Sequence, residues 1–484
     1  MTKTEEKLYQ QIDRWFEAHR EDMVSDIMRL VRIPSVSDPY TGPKPFGKGC
    51  RDCLDEMLAI GREHGFQTEN YEYYAGSIGE EEKNWENMIG FWNHLDVVPA
   101  GNDWDNPPFE PVLKNGFLLG RGAGDNKGPA IGILYMMQCI RELGIEMKHE
   151  LRLFVGCDEE RGMEDMDYYT ARYPAPALSM IADSGFPVCY GEKGILEGRM
   201  IINREFTGSI LDCSGGSAGN IIPDRAWVLI ACSELLEKEL IGKKPSYIDI
   251  VREEKAVRVT ARGMAGHSAF PEGSINAIHK LAGFLSDIEA LDEGDRSIFG
   301  ALAFLSEEYY GEHMDISYED IVSGKTTCAA TVLELEGHRA AFQFNIRYAI
   351  TDSSQRLNEK LQDFSRNHCM TWELLRDSAP NYFPREHPAV DLLTKLYCDL
   401  TGDQKDSFVM GGGTYARKLP NAFAYGVGGM QETDQERQVK KALFRPGHGG
   451  AHEPDEGLNI RLLLEAMKIY TMGLIKLNEC GLTL

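Results

Sequence analysis

The sequence predicts an α/β fold: a mixed, mostly parallel sheet flanked by helices, interrupted by an inserted α+β domain. Two observations carry this. From about residue 88 to 183, short apolar runs alternate with helical patterns, as in a mostly parallel sheet. After Gly191 the strands take on an alternating, antiparallel texture, and from 387 the chain returns to helix and strand. The expected domains are 1–190 joined with 386–484, and an insertion of 191–385. At 484 residues the chain is too long for one core.

Residues 5–32 place Leu8, Ile12, Trp15, Phe16, Met23, Ile27, Leu30 and Val31 at helical spacing, which predicts a helix packed on a larger body. A loop rich in Pro, Gly and Ser follows over 34–49, then a second helix to about Gly61. Strands are expected at MIGFW, LRLFVG and SMIA, with KGPAIGILYMMQCIREL as a buried helix between the first two. In the insertion, strands are expected at 196–206, 226–232, 254–263, 328–336 and 339–350, with helices at 274–288 and 353–366. The chain closes with a helix at 387–400, a strand at 421–427 and an amphipathic helix at 456–477. The polar run 433–441 reads as an exposed loop.

Composition narrows the function. A hydrophobic fraction of 42% and a mean hydropathy of −0.35 describe an ordinary soluble chain. The absence of any long apolar stretch predicts no transmembrane helix, and the charged N-terminus lacks a signal-peptide core. A formal net charge of −25 argues against nucleic acid or an anionic membrane as partner. Eleven cysteines without regular spacing predict reduced thiols and a cytosolic location.

The chemistry concentrates where strands end. His94 and Asp96, Asp125, Glu159 and Glu160, and Asp183 each follow an apolar run, and strand carboxyl ends in such sheets converge on one crevice. One imidazole among carboxylates suits zinc, manganese or cobalt. Each residue also has a plainer reading. His94–x–Asp96 could be a turn with a capping Asp, Asp125 a helix N-cap, Glu159–Glu160 a solvated pair and Asp183 a turn residue. Paired carboxylates in one site would divide their roles, one binding metal and the other moving a proton. His448 and His452 both lie in a glycine-rich loop, and spacing does not choose between them. What separates the functional reading from the plain one is the joint placement.

That pattern, through NHLDVVPAGNDW, GRGAGDNKGP, DEERG, GEKG, SGGSAGNIIPD, GMAGHSAFPEGSINA, FNIRY, GGGTYARKLPN and HEPDE, resembles the aminoacylase, carboxypeptidase G and carnosinase family of di-metal peptidases. Within it the chain is most similar to the dipeptidase V (Xaa-His dipeptidase) branch. It departs from that branch in the polar stretch 432–444. The resemblance implies two divalent metal ions, zinc ahead of manganese and cobalt, bridged by Asp125. His94 and Asp183 would complete one ligand set, Glu160 and His452 the other. Glu159 would be the general acid/base, with Asp96 orienting His94, and the Asp125–Asn126 peptide would be cis.

In the inserted lid domain, His267 would polarise the scissile carbonyl, while Asn220 and Arg347 hold substrate. Gly413 and Thr414 would present backbone near its carboxylate. Read alone, Asn220 is a turn residue, His267 a loop histidine and Arg347 a surface charge. The implied activity is metal-dependent hydrolysis of dipeptides by a monomer. The second reading is an N-acyl amino acid deacylase, and the third a catalytically silent metal-binding scaffold.

Overall fold

The computed structural model describes residues 2–81 and 83–480. Two compact units are present: one from residues up to Tyr190, Tyr382–Phe408 and the chain from Gly413 onward, the other from Gly191–Asn381 and Val409–Gly412. The sequence reading leaves 382–385 with the insertion and 409–412 outside it. Hydrogen bonds explain both differences. Phe383 N–H donates to Tyr190 O in the first unit. In the second, Lys193 N–H donates to Met410 O and Arg347 Nη1 to Gly411 O. No helix among the described residues is long and apolar enough to cross a membrane.

The first unit is built on a mixed sheet. Met88–His94 pairs in parallel with both Glu150–Gly156 and Leu178–Ile181, and Ala422–Tyr425 adds in parallel beyond Leu178–Ile181. Antiparallel strands extend both sides, Ala75–Gly79 and Gln67–Tyr71 on one and Val188–Glu192 on the other. Every residue of Met88–His94 is buried, which is why it reads as a continuous apolar run. Gly90 is required there: an added Cβ would lie 2.5 Å from Pro176 Cγ. The register pairs His94 with Gly156. The chain therefore leaves these parallel strands at a common edge.

Two helices cover this sheet closely. Gly128–Glu142 is buried along almost its whole length, and Ile460–Glu479 packs on it. The contact runs over Gly132, where an added Cβ would approach Met467 Sδ to 2.9 Å. Leu463 and Met467 are fully buried, each contributing about 1.5–3 kcal/mol by removal from water. A leucine at position 132 would force these helices apart.

Two local expectations change. The expected helix over 5–32 is broken at His19 into Lys3–Ala18 and Arg20–Val31. The His19 ring stacks on Trp15 with centroids 3.9 Å apart, and its Nδ1 lies 2.8 Å from Trp15 O, ending the first helix. The run 433–441 is a helix, Asp434–Leu443, and not a loop. Thr433 and Glu436 form a capping box, and Lys440 and Lys441 complement its carboxyl end. Glu436 also takes a two-pronged bond from Arg461, both at 2.7 Å.

The second unit has an antiparallel sheet ordered Ile248–Glu253, Ala256–Arg262, Arg225–Ala231, Ile210–Gly215, Thr327–Glu336, Arg339–Tyr348, Gly194–Ile202 and Met370–Ser378. Arg225–Ala231 alternates buried and partly exposed residues, the period-two pattern of a sheet with one covered face. Helices Ala277–Ser286, Glu293–Leu305 and Ser354–Asn367 supply the opposing core. The sequence reading misses Glu293–Leu305 and the strands Ile210–Gly215 and Ile248–Glu253.

Candidate metal centre and catalytic groups

The edge where the parallel strands end collects the titratable residues. His94 closes its strand, Asp96 lies two residues on, and Glu159–Glu160 turn off the Glu150–Gly156 strand. Asp183 follows Leu178–Ile181. Asp125 sits in the turn Ala123–Lys127 with φ −131° and ψ 90°, ahead of helix Gly128–Glu142, and its peptide bond to Asn126 is cis. It is not the N-cap of that helix.

His94 Nε2 lies 3.0 Å from Asp125 Oδ1 and 3.6 Å from Asp183 Oδ2. His452 Nε2 lies 3.0 Å from Glu160 Oε1 and 3.1 Å from Asp125 Oδ2. Asp125 thus stands between the two imidazoles, one carboxylate oxygen toward each. His452, and not His448, joins this group. His448 turns away to Asp455, with Nδ1 2.7 Å from Oδ2. His452 has φ +64° and Asp455 φ +51°, so this loop is held in a conformation uncommon for non-glycine residues.

The donor set fits divalent cations, and His94 shows why. Its Nδ1 faces the Asp96 carbonyl oxygen at 2.9 Å, which can only accept. A neutral His94 therefore carries its proton on Nδ1 and aims the Nε2 lone pair at two carboxylates. That arrangement needs a positive charge among the three groups. The electrostatics agree. Burial pushes the Asp183 carboxyl up to about 7, with Asp125 adding to it, and burial also raises Glu160. Burial opposes ionisation of Asp125, yet when protons on Nε2 of the two imidazoles supply the positive charge, hydrogen bonds from His452 and His94 hold it below the usual range. His452 is pushed up to about 10 by Asp125 and Glu160.

Glu159 is the most strongly shifted carboxyl of the pair. Desolvation drives it well above its ordinary value, opposed by His94 and reinforced by Asp183 and Glu160. One of its oxygens comes within 4.8 Å of donors of His94 and Asp183, as Glu160 does with His94 and Asp125. Distance alone does not separate base from ligand here.

Asp96, which the sequence reading names, and Asp165, Tyr415, Arg121 and Glu456, which it misses, fix this geometry. The Asp96 carboxylate accepts the backbone N–H of Glu159 at 3.1 Å and of Glu160 at 3.0 Å. Its Oδ1 is 3.5 Å from His94 Nδ1, so Asp96 holds His94 mainly through its carbonyl. Asp165 accepts N–H bonds from Cys157 and Asp158, and the Tyr415 hydroxyl donates to it as well. Glu456 accepts from the N–H groups of Gly122, Gly124 and Asp125, and from Arg121 Nη1 at 2.9 Å. Glu456 belongs to HEPDE, and a buried carboxylate gathering loop amides leaves no periodic signal in sequence.

In the second unit, Ile222 and Ile221 pair with Gly266 and His267, and Asn220 O accepts from Ser268 N–H at 2.9 Å. Asn220 and His267 thus lie side by side. His267 is exposed, with Nδ1 accepting from Ala269 N–H at 3.1 Å. Arg347 is buried, contrary to the surface reading: Nε donates to Asn345 Oδ1 at 2.7 Å and Nη1 to Gly411 O at 2.9 Å. Asn345 Oδ1 also accepts from Ser268 Oγ at 2.8 Å, tying the arginine to the His267 turn. Gly413 and Thr414 belong to the first unit. Thr414 Oγ1 caps the short helix Tyr415–Lys418, and a Cβ at Gly413 would strike Arg417.

Comparison with known proteins supplies the family. A Bacillus subtilis (strain 168) protein named "Putative dipeptidase YtjP" is 30% identical over 475 residues, 95% of this chain and 98% of that protein. A Staphylococcus epidermidis protein of the same description is 28% identical over 472 residues, 93% and 96%. Among solved structures, the Saccharomyces cerevisiae di-peptidase Dug1p aligns with TM-score 0.58 at 15% identity, covering 98% of this chain and 99% of that one. Human carnosine dipeptidase 1 aligns at 0.57 and 13%, covering 98% and 99%. The model of peptidase family M20/M25/M40 matches residues 90–475, the span that carries every group of the centre. The chain belongs to peptidase family M20/M25/M40, and with it to the metal-dependent peptide hydrolases.

Proposed function

We propose that the protein is a dipeptidase acting on unblocked dipeptides, Xaa-His among them. The observation that carries this is Glu159, a half-buried carboxyl held against a carboxylate–imidazole donor set suited to two divalent ions. The relatives named as dipeptidases support the substrate class. Asp125 would bridge the ions, with His94 and Asp183 on one side and Glu160 and His452 on the other. Zinc comes first, then manganese and cobalt. When bound, such ions supply a Lewis acid and acidify water.

The chain's own groups do the rest. Glu159, poised by burial, takes the proton of the attacking water and returns it to the leaving amine. Asp96 fixes the backbone from which Glu159 and Glu160 project. His267 serves as a donor to the developing oxyanion, and Asn220 and Arg347 hold the substrate, the arginine fork matching its carboxylate. Gly413 and Thr414 offer backbone to the same carboxylate. We assign 191–385 as the lid domain and 1–190 with 386–484 as the catalytic one. The protein would act as a cytosolic monomer, with His267 working in its own chain.

The test is reconstitution of the metal-free protein with zinc, manganese or cobalt against Ala-Ala, Ala-His, tetra-alanine and N-acetyl-alanine. Dipeptides turned over well ahead of the other two support the reading. Preference for N-acetyl-alanine replaces it with deacylation. Light scattering that finds an obligate dimer overturns the monomer.

A further inference from the structure

A cavity of about 360 Å³ opens in the first unit beside Asp125 and Asp183. Phe117, Pro129, Val427, Leu458, Leu462 and Leu463 form the apolar part of its wall, between the carboxylates of the centre and a polar rim. The volume is at the lower end for small-molecule sites, enough for one side chain and not for a peptide. Its outer wall carries Glu432 and Lys440, both within the segment 432–444 where the chain departs from the dipeptidase V pattern. Those two pair with each other, Lys440 Nζ to Glu432 Oε1 at 3.0 Å. Asn459, also in the wall, is spent too: Oδ1 caps Leu462 N–H at 3.3 Å and Nδ2 donates to Glu436 at 2.9 Å.

We propose that this cavity receives the side chain of the substrate residue on the acyl side of the scissile bond. We further propose that the helix Asp434–Leu443 makes it selective for uncharged apolar residues. The inference rests on the peptidase reading above and adds its specificity. Its orientation follows from which centre residues form the wall. Asp125 and Asp183 do, whereas Glu159 and Glu160 do not. Glu159 must face the leaving nitrogen to protonate it, so the residue bearing that nitrogen lies toward the glutamates. The acyl-side residue then points the other way, into the cavity. Its selectivity follows from the wall, whose outer charges pair with each other and whose Asn459 amide is taken up by Leu462 N–H and Glu436. Glu432 and Lys440 are already paired, and Asp125 and Asp183 would be committed to the ions of the centre, so a charged occupant would gain little there, whereas each apolar group buried is worth roughly 10-fold or more in kcat/KM.

Two variants test it, each profiled on Ala-Ala, Leu-Ala, Ala-Leu, Met-Ala and Lys-Ala, and on N-acetyl-alanine and N-isocaproyl-alanine. Leu462→Trp narrows the cavity. The ratio of kcat/KM for Leu-Ala over Ala-Ala should fall at least 10-fold, and the ratio of Ala-Leu over Ala-Ala should stay within about twofold. Lys440→Met, on a solvated helix, leaves Glu432 unpaired in the wall. Lys-Ala should then gain at least fivefold on Met-Ala. A drop confined to Ala-Leu, or equal drops at both positions, overturns the assignment, and an unchanged Lys-Ala to Met-Ala ratio overturns the role of the helix. If Leu462→Trp is poorly folded by circular dichroism, Leu462→Ala reads the same site in reverse, raising Leu-Ala relative to Ala-Ala. If wild type cleaves only the acylated amino acids, the dipeptidase reading fails while the isocaproyl to acetyl ratio still decides the cavity. No turnover of any of them overturns both.

Discussion

The Asp96 carboxylate and the Glu159 backbone form one unit: Oδ1 of Asp96 accepts the Glu159 N–H at 3.1 Å, and Oδ2 accepts that of Glu160 at 3.0 Å. Asp96 is fully buried. Because His94 is oriented by the Asp96 carbonyl, removal of the carboxylate should loosen the glutamates more than the imidazole. Asp96→Ala should therefore lower kcat by about 10–100-fold. Asp96→Asn keeps one acceptor and should lose less. Wild-type turnover in Asp96→Ala would contradict the role.

Glu159 and Glu160 should respond differently to the same isosteric change. Glu159→Gln should reduce kcat by about 10²–10⁴ with two metals still bound, since an amide cannot carry the proton. Glu160→Gln should lower metal occupancy. Elemental analysis of both variants decides it: equal metal loss would make Glu159 a ligand, which its distances alone permit.

Glu456 tests the support beneath Asp125. Its carboxylate pairs with the buried Arg121 and gathers three amides of the Asp125 loop. Glu456→Ala leaves that guanidinium uncompensated, at a cost of about 3–5 kcal/mol. Denaturant titration should show the loss, and isothermal titration should show weaker metal binding. A fully stable variant with unchanged metal affinity would refute this.

In the second unit, Arg347→Lys should raise KM for dipeptides, since a point charge cannot replace the fork. His267→Ala should lower kcat by a factor corresponding to about 3 kcal/mol, the worth of one oxyanion donor. Unaltered kinetics in both would remove these residues from the substrate site.

The pair His64–Asp26 gives a pH signature away from the metal centre. His64 Nε2 lies 2.9 Å from Asp26 Oδ2, which raises the imidazole above its ordinary value. Burial opposes the charge on Asp26, but bonds from His64, Tyr135 and Arg29 hold its carboxyl low. The His64 contribution is complete below an unfolded pKa of about 6.5 and fades as pH rises through the raised folded value. That of Asp26 is present above about 3.9 and fades as pH falls through its lowered folded value. The melting temperature of His64→Gln should trail wild type by a few degrees between about pH 4 and 6.5, with the gap closing toward alkaline pH. A gap that widens with pH would refute the pairing.

The parallel strands and the residues ending them were legible because central strands buried on both faces must be apolar throughout, so a polar residue marks their end. His94, Glu159 and Asp183 stood out for that reason, whereas Asp125 lies in a turn. The supporting groups did not. Asp96's grip on two amides and Glu456's on three come from folding distant segments together, which no local period records. The helix Asp434–Leu443 was readable from its Thr-x-x-Glu box but masked by having no buried face. Arg347 was misjudged as exposed because a guanidinium satisfied by Asn345 and Gly411 can be buried, and those partners are chosen by topology.

The Ala422–Tyr425 strand lies inside the sheet, between Leu178–Ile181 and Val188–Glu192, although more than two hundred residues separate it from the first of these in sequence. During synthesis the Asp183 edge therefore stays unpaired on that side until the whole intervening unit has left the ribosome. His452 emerges later still. A chain interrupted before His452 can carry His94, Asp125 and both glutamates and still lack the imidazole that faces Asp125 and Glu160, so the cluster is completed only near the end of synthesis.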